Sequence, residues 1–198
     1  MDLSNSLDLV QTTTTLIRER RAIYPHAYLP TIIKDEIIME LLENANHAPT
    51  HRLTEPWRFK VIAGEKLGEL GDLLAELYRE QTTAATFSER KYNKTKQKPR
   101  QSSHILAICM QRDPEERVPE WEEIAATAMA VQNIWLSAAA YQIGAYWSSP
   151  ATIKHNKCHA FLNLKQQERC LGFLYLGYHN APASPAKREP IVQKIEWL

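Results

Sequence analysis

The sequence predicts a single α+β domain, and three observations carry that reading. Apolar residues recur with helical period in some stretches and in alternation or short runs in others. The two kinds of segment follow one another without the strict strand–helix–strand rhythm of a doubly wound sheet. The chain has 198 residues, 44% of them hydrophobic, which fills one core but hardly two.

The elements follow in order. Residues 7–20 have helical periodicity. Residues 34–46 form a second helix, with Ile37, Ile38, Leu41, Leu42 and Ala45 on one face, and Pro49 stops it. Residues 57–62 read as a strand, because Trp57, Phe59 and Val61 alternate with Arg58 and Lys60. Residues 66–81 are an amphipathic helix. Residues 82–103 are polar and hold Arg90, Lys91, Lys94, Lys96, Lys98 and Arg100. This stretch is expected to be a mobile surface segment, either a solvated basic face or lid edge, or a flap that gates substrate or attracts phosphate.

A short apolar strand is expected over 105–110 and a turn over 113–119. Residues 120–141 form the longest helix, apolar nearly all round past Ile124. A helix without a polar face must be covered on every side, and in so short a chain one cover is another subunit. Strands at 144–147 and 170–176 and a short helix at 154–162 complete the fold. The tail, residues 178–198, is rich in Pro and Ala and ends on an apolar run, so it is expected to extend onto a partner subunit.

Composition excludes several classes. Lys plus Arg is 24 and Asp plus Glu is 23, a net charge of +1, so no global field draws in nucleic acid or an anionic membrane. No stretch of about 18 apolar residues suggests a membrane span. The start of the chain has neither the basic, apolar pattern of a secretory signal nor an Arg-rich transit pattern. The three cysteines, Cys109, Cys158 and Cys170, are odd in number and form no CxxC pair. Together these features point to the reducing cytoplasm. With six glycines in all there is no GxGxxG, no GxxxxGK[ST] and no GxSxG. His155 and His159 are spaced i, i+4 around Cys158, but no third ligand is in view, and no metal is expected.

Three segments carry chemistry. Arg20-Arg21 closes the first helix; such a pair either caps the dipole or makes bidentate contacts to a phosphate. Residues 48–59 run Ala-Pro-Thr-His-Arg-Leu-Thr-Glu-Pro-Trp-Arg-Phe, two prolines bracketing a stiff polar loop that exposes Thr50, His51 and Arg52. Lys187-Arg188, between Pro185 and Pro190, is a second basic pair near the other end. Two basic pairs with a rigid loop between them suggest a bound dianion, such as a phosphate monoester.

These segments resemble the nitroreductase family. Glu19-Arg20-Arg21-Ala22 resembles the arginine pair that opens its domains, and residues 48–59 resemble its Ala-Pro-loop-Pro-Trp-Arg-Phe signature. The Ala-rich helix followed by Gly144-Ala145-Tyr146-Trp147-Ser148-Ser149 is similar to its long dimer helix and the turn beneath the flavin. Residues 172–177 match its late strand, and Lys187-Arg188 its C-terminal basic pair.

The resemblance spans roughly residues 7–195 and implies an α+β homodimer, a central mainly antiparallel sheet flanked by helices, with FMN at the subunit interface. It implies that Arg20, Arg21, Lys187 and Arg188 surround the phosphate and ribityl chain. It further implies that Pro49, Thr50 and His51, with His47 just before them, reach the flavin from the neighbouring subunit. Trp147, Ser148 and Ser149 would line the ring. Ala22 stands where the family commonly has Ser, and one hydrogen bond to a charged group is worth about 1.5–3 kcal/mol, so weaker FMN binding is expected. The implied activity is ping-pong hydride transfer from NAD(P)H to an electron-poor small molecule such as a nitroaromatic or quinone, with His51 as the candidate catalytic group. The alternative is a flavin-binding dimer with little or no turnover.

Overall fold

The computed structural model describes residues 3–182 and 186–198, so Pro185 and part of the expected tail lie outside the described residues. The first helix, α1 (Leu3–Glu19), leads into an extended stretch and then α2 (Asp35–Asn46). Strand β1 (Trp57–Ala63) is followed by α3 (Glu65–Glu80), α4 (Glu89–Arg100) and β2 (His104–Gln111). The long helix α5 (Glu120–Ala140) precedes β3 (Ile143–Ser148), α6 (Asn156–Phe161) and β4 (Glu168–Tyr178).

The four strands form one sheet in the order β1-β2-β4-β3, every pair antiparallel. Alternation sends successive side chains to opposite faces. Leu106 and Ile108 of β2 and Leu174 and Leu176 of β4 face α2 and α5, where Ile38, Leu41, Ala130 and Ile134 complete one core layer. Ile105, Ala107, Phe173 and Tyr175 face the other way and pack on Leu70, Leu74 and Leu77 of α3. The fold is thus helices on both faces of an antiparallel sheet, the α+β class expected.

The free cysteines are all buried, and Cys109 and Cys170 are cross-strand partners beside the register shift of β2 and β4. Among the described residues, no helix is long and apolar enough to cross a membrane.

Within residues 82–103, expected as a surface segment, the structure places a helix. Glu89–Arg100 is helix α4, capped by Ser88, whose side chain accepts from Lys91 N. It lies against α3 through polar contacts. Asp72 meets Lys96 at 3.2 Å and Arg100 at 2.8 Å, and Tyr92 donates to Glu76 at 2.6 Å. A Cβ on Gly71 would lie 2.3 Å from the Lys96 carbonyl, so the two backbones touch there. The expected helix at 154–162 also divides: Ala151–Lys154 is a 3-10 turn, and His155 caps α6 by accepting from Lys157 N at 3.1 Å.

Helix α5 is the backbone of the first core layer. Ala126, Ala130, Val131, Ile134 and Ala138 are buried, while Trp121, Ile124 and Met129 on its outer side are exposed. The apolar end of the tail, Ile191, Val192, Trp197 and Leu198, is exposed as well.

Candidate functional site

A cleft of about 1310 Å³ opens at the C-terminal end of α5. One wall is α1, through Gln11, Thr12, Thr15 and Leu16; the other is Trp135, Ala139 and Ala140 of α5. The floor is the outer edge of β3, where residues 20–24 run alongside. Ala22 bridges Ala145, and Ile23 N donates to the Ala145 carbonyl at 3.1 Å. His179, Asn180 and Arg188 close it from the C-terminal side.

The two basic pairs meet here in part. Arg20 and Arg188 line the same cleft. Burial, and then the like charges of Arg21 and Arg188, lower the pKa of Arg20 from its ordinary value. Among the described residues no carboxylate lies within ion-pair distance of Arg20 or Arg188, although Glu19 lines the cleft. Uncompensated guanidinium charge in a concave site suits a dianion such as a phosphate monoester, so the residues present fit the tail of FMN.

Arg21 behaves differently. Its Nη1 donates to the carbonyls of Arg18 and Arg20 at 2.5 and 2.7 Å, so it serves the end of α1, the dipole role open to such a pair. Lys187 is exposed beside Arg188 and its carbonyl accepts from Arg188 Nη1 at 2.9 Å.

The remaining expected residues lie elsewhere in the chain. Trp147, Ser148 and Ser149 sit at the far end of β3. Trp147 Nε1 donates to Ser149 Oγ at 2.9 Å, and Ser149 Oγ donates to the Leu171 carbonyl at 2.7 Å. Gly172 makes room for them: a Cβ there would lie 2.4 Å from Trp147 Nε1 and 2.6 Å from Ser149 Oγ.

His47, Pro49, Thr50 and His51 form a third group after α2. His47 is exposed, 3.5 Å from Glu43. Thr50 Oγ1 lies 3.2 Å from Thr54 Oγ1, and His51 Nδ1 lies 2.6 Å from Glu122 Oε2 at the start of α5. Within the loop Arg52, Leu53 and Glu55 all have positive φ, sparsely populated for residues with a side chain.

Helix α5 therefore separates two parts of the expected site. Glu122, at one end, holds His51; Ala139, at the other, lines the arginine cleft. At 1.5 Å per residue they are roughly 25 Å apart. A single chain does not bring the two groups together.

Sequence reasoning missed Trp135 and His179. Trp135 Nε1 donates to the Arg21 carbonyl at 3.2 Å, and the Arg20 guanidinium lies 4.6 Å from its ring centre. In the sequence it is one apolar residue in an apolar run. His179 directly follows β4, and no pattern marks it.

Comparison with known proteins agrees with this architecture. YfhC of Bacillus subtilis, assigned by name to the NAD(P)H nitroreductases, is 29% identical over 176 residues, 89% of each chain. YdjA of Escherichia coli, assigned likewise, is 26% identical over 78% of this chain and 82% of its own. Among solved structures, a nitroreductase-like protein from Bacillus cereus superimposes with a TM-score of 0.77 at 25% identity, covering 93% of this chain and 95% of the other. The FMN-dependent nitroreductase NfnB of Mycobacterium smegmatis, solved with NADPH, shares the fold with a TM-score of 0.78 at 17% identity, covering 96% and 99%. The nitroreductase family model matches residues 17–178, from the end of α1 to the end of β4, and the chain belongs to the nitroreductase family.

Proposed function

We propose that this chain is an FMN-dependent oxidoreductase that uses NAD(P)H to reduce electron-poor small molecules, such as nitroaromatics or quinones, by ping-pong hydride transfer. It works as a homodimer in the cytoplasm. The observation that carries this reading is the cleft at the end of α5, where Arg20 and Arg188 converge from opposite ends of the chain with no carboxylate counter-charge among the described residues.

Geometry supports the dimer. The His51 loop and the arginine cleft lie at opposite ends of α5, and the outer side of that helix is apolar and exposed at Trp121, Ile124 and Met129. An apolar surface of this kind marks an association site. Antiparallel packing of two α5 helices about a two-fold axis sets the N-terminal end of one beside the C-terminal end of the other. That pairing carries His47, Pro49, Thr50 and His51 of one subunit to the cleft of its partner. It also covers α5 and offers a surface for the apolar tail.

FMN, when bound, supplies the hydride chemistry. The chain supplies binding and orientation. Arg20, Arg188 and Lys187 hold the phosphate, and Arg21 fixes the end of α1 against it. Trp135 walls the cleft, and Ala22 leaves room without adding a hydrogen bond. Trp147, Ser148 and Ser149 form one border of the ring site, kept in place by the Leu171 carbonyl. His51, oriented by Glu122, donates a hydrogen bond or proton near the ring.

Purification tests the reading directly. The protein is expected to be dimeric and yellow, or to become yellow with added FMN, and to bleach anaerobically with NADPH or NADH. A monomer that takes up no FMN overturns it. Uptake without bleaching supports instead a flavin-binding dimer with little or no turnover. His51→Ala is expected to slow a half-reaction while FMN stays bound; two unchanged half-reactions remove that role.

A further inference from the structure

Helix α4 carries six cations and one acid, and the structure divides five of the cations, all but Arg90, into two sets. Lys96 and Arg100 face α3 and are neutralised by Asp72. Lys91, Lys94 and Lys98 follow one another at i, i+3 and i+7, a single stripe on the helix surface. Among the described residues none of the three meets a carboxylate within ion-pair distance.

The stripe ends on an aromatic shelf. Lys98 Nζ lies 5.2 Å from the ring centre of Tyr146 and 5.5 Å from that of Tyr175. Tyr24 packs on Tyr146 with ring centres 4.4 Å apart, and it is 49% exposed. Tyr24 also lines the arginine cleft. Tyr146 shares a strand face with Ser148, two residues on, which the proposed function places at the flavin ring. One run of contacts therefore joins the cleft, by way of Tyr24 and Tyr146, to Lys98 and Lys94.

Lys98 is half-buried, and burial followed by the like charge of Lys94 lowers its pKa from the ordinary value. Two neighbouring ammonium groups with no carboxylate partner among the described residues are relieved by a dianion. Tyr24, joined to Lys98 through Tyr146 and with the His26 ring nearly parallel to it at 6.0 Å, offers with that imidazole an exposed aromatic surface for a flat heterocycle.

We propose that Lys94 and Lys98, with Tyr24 as the stacking platform, receive the 2′-phosphoadenosine end of NADPH, and so set a preference for NADPH over NADH. This deepens the redox reading above and rests on it for the identity of the reductant. The phosphate site itself can be tested without turnover.

The probe is 2′,5′-ADP against ADP, titrated calorimetrically into the intact protein at low ionic strength. Wild type is expected to bind 2′,5′-ADP about tenfold more tightly, with the advantage shrinking as salt screens the exposed ammonium groups. Lys94→Gln, at an exposed position, and Lys98→Gln should each reduce that advantage by about threefold or more, whereas Lys96→Gln, on the side neutralised by Asp72, should leave it in place. In steady-state assays of the FMN-loaded enzyme, the ratio of kcat/KM for NADPH to that for NADH should fall in step. Equal binding of the two probes to wild type overturns the proposal, as does an equal loss in Lys94→Gln and Lys96→Gln. A selective 2′,5′-ADP site in a protein that oxidises neither nucleotide supports the phosphate site and overturns the redox reading.

Discussion

The guanidinium of Arg20 lies 4.6 Å from the centre of the Trp135 ring, and the indole N–H of Trp135 donates to the backbone carbonyl of Arg21 at 3.2 Å. One side chain of α5 thus fixes both the face and the backbone of the arginine pair. Without it, Arg20 would keep its charge and lose its direction.

Trp135→Phe keeps an aromatic face and removes the N–H bond. A cation–π contact and a hydrogen bond each contribute on the order of 1 kcal/mol, so FMN affinity should fall about threefold to fivefold. Trp135→Ala removes both and should weaken FMN roughly tenfold or more. Fluorescence titration of the apoprotein with FMN measures both. Wild-type affinity in Trp135→Ala would separate this cleft from the cofactor.

Ala22 is exposed on the cleft, and its backbone is held by the bridge to Ala145. A hydroxyl added there starts from a fixed position. Ala22→Ser should tighten FMN by about tenfold, the low end of a hydrogen bond to a charged group. An unchanged dissociation constant would mean that the phosphate does not come within reach of residue 22.

Asp113 accepts from Arg117 Nε at 2.8 Å, from Nη2 at 3.0 Å and from the Arg117 backbone N–H at 3.0 Å. These bonds, the side-chain ones first, hold its carboxyl down to about 2. A folded-state value below the unfolded one means that the charged carboxylate stabilises the fold above about pH 4, and that this contribution is lost as pH falls toward 2. Asp113→Asn should therefore be less stable than wild type at neutral pH, and the gap should narrow through that acid window. Urea midpoints at a series of pH values check it. The turn matters to the site because it sets the start of α5, where Glu122 orients His51. A gap of constant size down to pH 2.5 would mean that Asp113 is not the titrating group.

Periodicity made most of this fold legible. Ile38, Leu41 and Ala45 of α2 and Trp57 and Phe59 of β1 sit where their spacing places them, because burial of an apolar face is what their elements do. Arg20 and Arg188 were legible as charges, and the structure brings them to one cleft. Helix α4 was not legible as a helix. It has no apolar stripe, and much of its attachment comes from Asp72, Glu76 and a glycine contact, none of which leaves a periodic trace. The wall made by Trp135 was hidden for the opposite reason: one functional ring among apolar neighbours carries no contrast.

Gly71 tests how α4 is seated. Within a helix, Ala is favoured over Gly by about 1 kcal/mol, so propensity alone predicts that Gly71→Ala stabilises α3. The new Cβ, however, would lie 2.3 Å from the Lys96 carbonyl and 2.6 Å from Arg100 Nη1. The first of these is backbone and cannot swing aside. Overpacking of this kind typically costs about 1–3 kcal/mol, which outweighs the propensity gain. Gly71→Ala should therefore lower the urea midpoint and, by lifting α4 from α3, speed amide hydrogen exchange over Glu89–Arg100 more than elsewhere. Because Lys94 and Lys98 ride on that helix, the advantage of 2′,5′-ADP over ADP should shrink in the same variant. A Gly71→Ala protein more stable than wild type would mean that α4 does not rest on α3 at this point.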